Sequence, residues 1–246
     1  SLDYELLVVC TRTDGALAGD ARRLGDVKVL HTWSGWDPRI RPRLERVLRA
    51  YRPAVVHSLM FGFDYPVNVA AKRAEIPVVL SSRRQLAHWK KPRHVRLQRK
   101  ANRLVDAIVA NMRAVAEFAR EQEQGDPNLY RVVHNGVDAA RFQSDADRES
   151  VRRRFEIPYH TKVVGMVANF GHEKDHALFV EIATEVARRR PDVHFVLVGT
   201  GPLREQIEDA LVDRGVSDQV TILRTVAELP DLYRLMTIFL LCSRSE

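Results

Sequence analysis

Short β-branched, apolar runs alternate with helix-period stretches from one end of the chain to the other, the pattern of a parallel α/β architecture. Strands are predicted at 5–10, 27–31, 54–58, 77–81, 107–110 and 131–134, with a second set at 162–168, 194–198, 220–223 and 238–241. Helices are predicted at 41–51, 65–73, 92–104, 113–122, 174–189 and 203–214. Apolar positions recur there every three or four residues, as Leu44, Val47 and Leu48 do. Between the last two strands, 227–235 reads as a loop and a short helix.

A polar, charged stretch at 143–160 separates two strand–helix series, each resembling part of a doubly wound sheet. Two Rossmann-like lobes facing a cleft are expected, the first over 1–150 and the second over 151–246. No internal repeat or low-complexity segment interrupts them. The chain opens on a strand with no glycine-rich turn before it and stops just after a buried-looking strand, where a parallel sheet calls for a crossover. Both ends are therefore expected to be missing and the second lobe to be incomplete.

Composition narrows the class without changing the picture. The 246 residues suit two domains, and 45% hydrophobic with 29% charged residues excludes a disordered or collagen-like chain. No apolar run approaches the roughly 18–20 residues of a membrane helix. The start lacks the layout of a signal peptide, so the expected location is cytoplasmic. Cys10 and Cys242 each end an apolar run and read as core residues; two cysteines supply neither a disulfide framework nor a metal set, and no metal site is expected.

Charge is concentrated. Nine of the 39 Lys and Arg residues fall between Arg83 and Arg103 with no acid among them, which leaves 30 bases against 32 acids elsewhere. A local patch points to an anionic partner at one place. Arg93, Arg96, Lys100 and Arg103 share a helical face beside the apolar stripe Leu97, Ala101 and Leu104. Such a helix could rest on anionic headgroups with Trp89 at the interface, or be a solvated face over a core stripe. Nucleic acid is not expected as a partner, because the interleaved aromatics of a single-strand platform are missing.

Three segments carry candidate chemistry. In VVGMVANFGHEKDHALFVEIA a strand runs through Asn169–Glu173 into a helix starting near Lys174; free backbone N–H groups and the positive dipole end there favour phosphate. A lysine in the first helical turn opposes that dipole unless an anion is shared, though a solvated surface lysine also satisfies the pattern. In HFVLVGTGPLREQI, Gly199 and Gly201 permit either a tight β-to-α turn or a close approach to a ligand. In RVVHNGVDAARF, Asn135–Gly136 marks a turn, and His134 and His57 each stand near a strand's carboxyl end, where ligands of such sheets bind.

Taken in order, VVHNGVDAARF, VGMVANFGHEKDH, VLVGTGPLR and VTILRTVAELPDLYRLMTIFLLCSRSE resemble the central part of a family-4 glycosyltransferase of the GT-B fold. The resemblance is strong from about Arg131 onward and looser before it, where VDAIVANMRAVAEF is the best match. It implies a retaining enzyme whose second lobe grips a nucleotide-diphospho-sugar and whose first lobe chooses the acceptor. Lys174 matches the family's diphosphate-binding lysine, while the customary Gly-Arg before it reads Ala168–Asn169, leaving Asn169 as a neutral hydrogen-bonding substitute. By the same resemblance Arg224, Thr225 and Val226 border the nucleobase, and Glu246 matches the first Glu of the family's paired-glutamate motif, near the transferred sugar. On the acceptor side the family's histidine has no match in VVLSSRRQL; Arg83 and Arg84 stand there and suit an anionic acceptor such as a lipid phosphate.

The function expected is transfer of a sugar to a cell-envelope polysaccharide or lipid-linked acceptor, with no cofactor beyond the donor itself and with peripheral contact to the membrane's inner face through 83–103. Two rivals accompany it. A nucleotide-sugar 2-epimerase of related fold would bind a similar donor without an acceptor, and a non-catalytic donor-binding or membrane-docking module would bind without turnover.

Overall fold

The computed structural model describes residues 4–15, 17–34, 37–224, 226 and 228–244, arranged as two compact units, 1–135 and 136–246. In the first unit the elements run β1 (Leu7–Cys10), α1 (Ala18–Leu24), β2 (Asp26–Val29), α2 (Ile40–Tyr51), β3 (Val55–Ser58), α3 (Asp64–Arg73), β4 (Val78–Arg83), α4 (Pro92–Asn102), β5 (Ala107–Ala110), α5 (Arg113–Glu123) and β6 (Tyr130–Val132). Strands β3-β4-β5-β6 form one parallel sheet and β1-β2 a second. Ile40, Leu44 and Leu48, four residues apart on α2, bury one helical stripe against Ala70, Ala71, Val79 and Ile108.

The second unit contains α6 (Arg148–Arg154), β7 (Lys162–Val167), α7 (His176–Arg189), β8 (Val193–Val198), α8 (Arg204–Asp213), β9 (Val220–Leu223), α9 (Leu229–Leu235) and β10 (Ile238–Phe239). Its parallel sheet has the order β10-β7-β8-β9. All six residues of β8 are buried, which is why VHFVLV is a continuous apolar run rather than an alternating one: helices cover both faces of a central parallel strand. Phe179 of α7 meets Phe195 of β8 edge-on at 5.9 Å, in a core that also holds Met166, Phe170 and Leu197.

The division falls earlier than residue 150, because 143–160 is not a linker. Asp147 caps α6 by accepting from the Ser150 amide at 2.9 Å, and Val151 is buried with Ile157, Leu232 and Leu235. Arg148 donates to the carbonyls of Arg234 and Leu235 at 2.8 and 3.2 Å, and Ser144 Oγ to Asp231 at 2.5 Å. These bonds fasten the segment to α9, within the second unit. Cys242 is buried and Cys10 half-buried, and both are free thiols.

Candidate functional site

From β7 the chain builds β8 and β9 on one side and then returns to place β10 on the other, so the order reverses beside β7. Ligands of such sheets bind outside the carboxyl ends of the strands at that reversal. The loop leaving β7 is laced to the loop leaving β8: the Ala168 amide donates to the Val198 carbonyl at 3.0 Å, Phe170 to Thr200 at 2.9 Å, and Leu203 to Phe170 at 3.2 Å. Gly199 and Gly201 make this possible. A Cβ on Gly199 would collide with the Ala168 carbonyl, and one on Gly201 would lie 2.5 Å from the Phe170 carbonyl oxygen. The backbone these glycines approach is the neighbouring loop.

Lys174 does not lie in the first turn of α7, as the sequence had predicted. It ends a 3-10 turn, His172–Lys174, and Asp175 follows as the N-cap with φ of 47°, its side chain accepting from the Leu178 amide at 3.4 Å. Asp175 is a strong capping residue, so the helix starts at His176, two residues later than expected, and the lysine stands just ahead of the cap. The half-buried Lys174, the exposed Asn169 and the amides opening α7 therefore gather at the carboxyl end of β7. Across from them, Arg244 leaves β10 and bonds Glu173 through its backbone and Asp175 through its side chain, at 2.9 and 2.6 Å. That guanidinium, by its hydrogen bond, holds the Asp175 carboxyl below the usual range. Sequence reasoning missed both residues. The Asp-x-x-Leu spacing of a cap was readable for Asp175, but nothing local announces a partner 69 residues away.

At the carboxyl end of β9, Arg224 is exposed, whereas Val226 is half-buried against the cluster around Val151 and Leu232. Thr225 and Glu246 lie outside the described residues.

In the first unit the residues expected on the acceptor side separate. His57, next to last in β3, has Nε2 2.8 Å from Ser82 Oγ, and partial burial of the ring lowers its pKa. Arg84 is exposed at the end of β4. Arg83, in contrast, is buried, and every nitrogen of its guanidinium is engaged. Nε bonds Glu123 at 2.9 Å, one terminal nitrogen bonds Asp64 and the Ser82 carbonyl at 3.2 and 2.8 Å, and the other bonds Asn102 and Glu123 at 2.8 and 3.0 Å. The anions Arg83 holds are internal carboxylates, which removes it from the acceptor side.

Beside this network lies a cleft of about 310 Å³ whose lining includes Met60, Phe61, Arg84, Trp89 and Lys90. Phe61 and Trp89 meet edge-on at 4.9 Å. On α4, Arg93, Arg96 and Lys100 are exposed, as is Arg103 just beyond it, while Leu97 is half-buried and Ala101 buried. The face drawn from helical spacing is present. Among the described residues no helix is long and apolar enough to cross a membrane.

Comparison with known proteins places this geometry. The family model described as Glycosyltransferase Family 4 matches residues 1–141, and that described as Glycosyl transferases group 1 matches residues 147–246. The chain belongs to glycosyltransferase family 4. This family member is 26% identical over 195 residues to 2-deoxystreptamine glucosyltransferase of Streptomyces kanamyceticus, covering 78% of the chain and 49% of that protein. It is 26% identical over 149 residues to the lipopolysaccharide core biosynthesis mannosyltransferase LpsB of Rhizobium meliloti, covering 58% of the chain and 40% of that protein. The family-4 chain thus spans about half the length, or less, of these relatives. Among solved structures, Anabaena HepE in complex with UDP-glucose superimposes with a TM-score of 0.80 at 18% identity, over 95% of this chain and 65% of that one. A Listeria monocytogenes structure described as a UDP-N-acetylglucosamine 2-epimerase gives 0.64 at 12% identity, over 96% and 64%. The likeness to HepE shows the fold to be the two-unit α/β GT-B type that the motifs implied.

Proposed function

We propose that this chain forms the donor-binding and acceptor-binding parts of a retaining glycosyltransferase that moves a sugar from a nucleotide-diphospho-sugar to a cell-envelope polysaccharide or lipid-linked acceptor. One observation carries the reading: Lys174 stands just ahead of the start of α7 at the carboxyl end of β7, beside the strand-order reversal. An ammonium and free backbone N–H groups in that position suit a diphosphate. The HepE structure with UDP-glucose supports the donor class.

In this reading the bond from the sugar's anomeric carbon to the diphosphate oxygen breaks, and its electron pair leaves on the phosphate. The acceptor hydroxyl oxygen bonds the anomeric carbon, and its proton passes to the departing diphosphate. Lys174 and the helix start meet the charge that develops there, an electrostatic role that calls for no cofactor. Asn169 hydrogen-bonds a phosphate oxygen, and Gly199 and Gly201 hold the two loops close enough to border the donor. Arg224 and Val226 flank the nucleobase; the roles that the resemblance implies for Thr225 at the nucleobase and Glu246 at the transferred sugar fall on residues outside those described. In the first unit His57 and Arg84 face the acceptor.

The acceptor class is supported by the likeness to LpsB, by the exposed Arg84, and by the basic face of α4 beside Trp89. Together these support a cytoplasmic protein resting peripherally on an anionic inner leaflet, where a lipid-linked acceptor is found.

Titration calorimetry of the chain with UDP, GDP and their sugars tests the donor site. Lys174→Ala is expected to weaken binding of the preferred nucleotide at least about tenfold, the weight of one charge-assisted contact to phosphate. Unchanged binding in the variant, or no binding by the unmodified chain, overturns the assignment. Incubating a UDP-sugar without acceptor separates the alternatives: an epimerised product favours the 2-epimerase, and nucleotide binding with no turnover even when acceptor is supplied favours a non-catalytic module.

A further inference from the structure

The segment opening α7 poses an electrostatic problem. Glu173, Lys174 and Asp175 bring two carboxylates against one ammonium to the place where a diphosphate would add further negative charge. At short range like charges disfavour binding, and a helix start alone does not outweigh them. Arg244 changes the balance. Its guanidinium pairs with Asp175 at 2.6 Å while its side chain stays 73% exposed, and its amide bonds the Glu173 carbonyl at 2.9 Å. With Arg244 included, the charges of these four residues cancel.

Arg244 also borders a cleft of about 290 Å³ whose lining includes His172, Asp175, His176, Leu203 and Gln206. His176 is 2% exposed, its ring edge-on to Phe170 at 5.0 Å, and neither ring nitrogen makes a hydrogen bond of ordinary geometry. The Ser243 hydroxyl, one residue before Arg244, is likewise buried without a partner. Buried polar groups are almost always paired, so the His176 ring leaves unused hydrogen-bonding capacity in the wall of this cleft, beside Arg244.

We infer that Arg244 is the charge-balancing and positioning residue of the donor site: by cancelling the Asp175 carboxylate and tying the exit of β10 to the loop of Lys174, it lets that loop accept a nucleoside diphosphate. This rests on the reading that the donor's diphosphate lies at Lys174. Arg244 acts through Asp175, and that sets its test apart from a direct phosphate contact.

UDP calorimetry on the unmodified chain, Arg244→Ala, Asp175→Asn and the double variant tests it. Asparagine also caps helices, so Asp175→Asn removes charge and keeps the cap. Arg244→Ala is expected to weaken UDP binding about tenfold, and the double variant to return within about threefold of the unmodified chain. A double variant as weak as Arg244→Ala, or an Arg244→Ala that binds normally, overturns the inference while Lys174→Ala still weakens binding. If the unmodified chain binds no nucleotide, the donor reading falls first and this inference with it.

Discussion

Replacing Glu123 with glutamine removes one charge from a network closed off from water. Glu123 is fully buried and accepts from Arg83, Lys90 and Asn102 at 2.9 to 3.0 Å. Asp64, also buried, takes Arg83, Gln98 and Ser58 at 3.2, 2.8 and 2.5 Å. Two carboxylates thus face two cations. Glu123→Gln leaves both cations with one counter-charge and turns an amide N–H₂ toward their donors. Breaking a buried pair by removing one partner costs about 3–5 kcal/mol, a large share of the 5–15 kcal/mol that holds a typical domain. With a urea slope of about 2 kcal/mol per molar, the midpoint should fall by about 2 M. All three tryptophans, Trp33, Trp36 and Trp89, belong to the first unit, so intrinsic fluorescence follows that unit's unfolding. The sign with pH gives a second check. The charges of Arg83 and Lys90 hold Glu123 below its ordinary pKa against the opposing cost of burial. Its contribution is therefore present above about pH 4.3, the unfolded value, and is lost as pH falls through the folded one. The gap between the two proteins should close in acid. A midpoint shift below about 0.3 M at pH 7 would refute the claim that this network holds the first unit together.

His194 is 5% exposed, its Nε2 lies 2.8 Å from Thr221 Oγ1, and burial pushes its pKa down to about 4. A histidine lowered in the fold stabilises above its unfolded pKa and loses that contribution as pH falls. Between pH 6.5 and 4 the protein should therefore lose about 3 kcal/mol more stability than His194→Gln, read by circular dichroism in urea; parallel pH profiles would contradict this. On α4, Arg93→Glu with Arg96→Glu should lower binding to vesicles rich in anionic lipid by about 30-fold or more, at about 1 kcal/mol per basic residue removed from the surface. Binding that survives both the charge reversal and 0.5 M salt, or that is equal on uncharged vesicles, would count against docking through this face.

Most of the fold was legible because parallel α/β architecture writes itself into local pattern. A central strand buried on both faces must read as VHFVLV, and a helix over a sheet must repeat Ile40, Leu44 and Leu48. Helix α6 was not legible for the opposite reason. RESVRRR offers one apolar residue in seven, and what fastens it is Arg148 reaching carbonyls 86 and 87 residues away. Its own capping signal, Asp147 followed three residues later by Ser150, was present but had no apolar periodicity to support it.

The site divides along the same line. Lys174 and the glycines stand out because turn and helix-start chemistry is local, whereas the partners that give them context are distant. The basic segment makes the point quantitatively. Of nine positive residues counted along the sequence, Arg83 and Lys90 are held by Glu123, and Arg99 donates to the carbonyls of Glu123 and Gln122 at 3.0 and 3.4 Å. The six that remain, Arg84, Lys91, Arg93, Arg96, Lys100 and Arg103, are all exposed. Strand β4 ends at Arg83, whose side chain turns inward to Glu123, while Arg84 just beyond the strand is exposed, so the two differ in fate although nothing in Arg-Arg distinguishes them. The positive charge this surface presents is thus set by where Glu123, 40 residues from Arg83, enters the core. Glu123→Gln and the α4 reversals should therefore act independently, the first on the unfolding of the unit and the second on its docking.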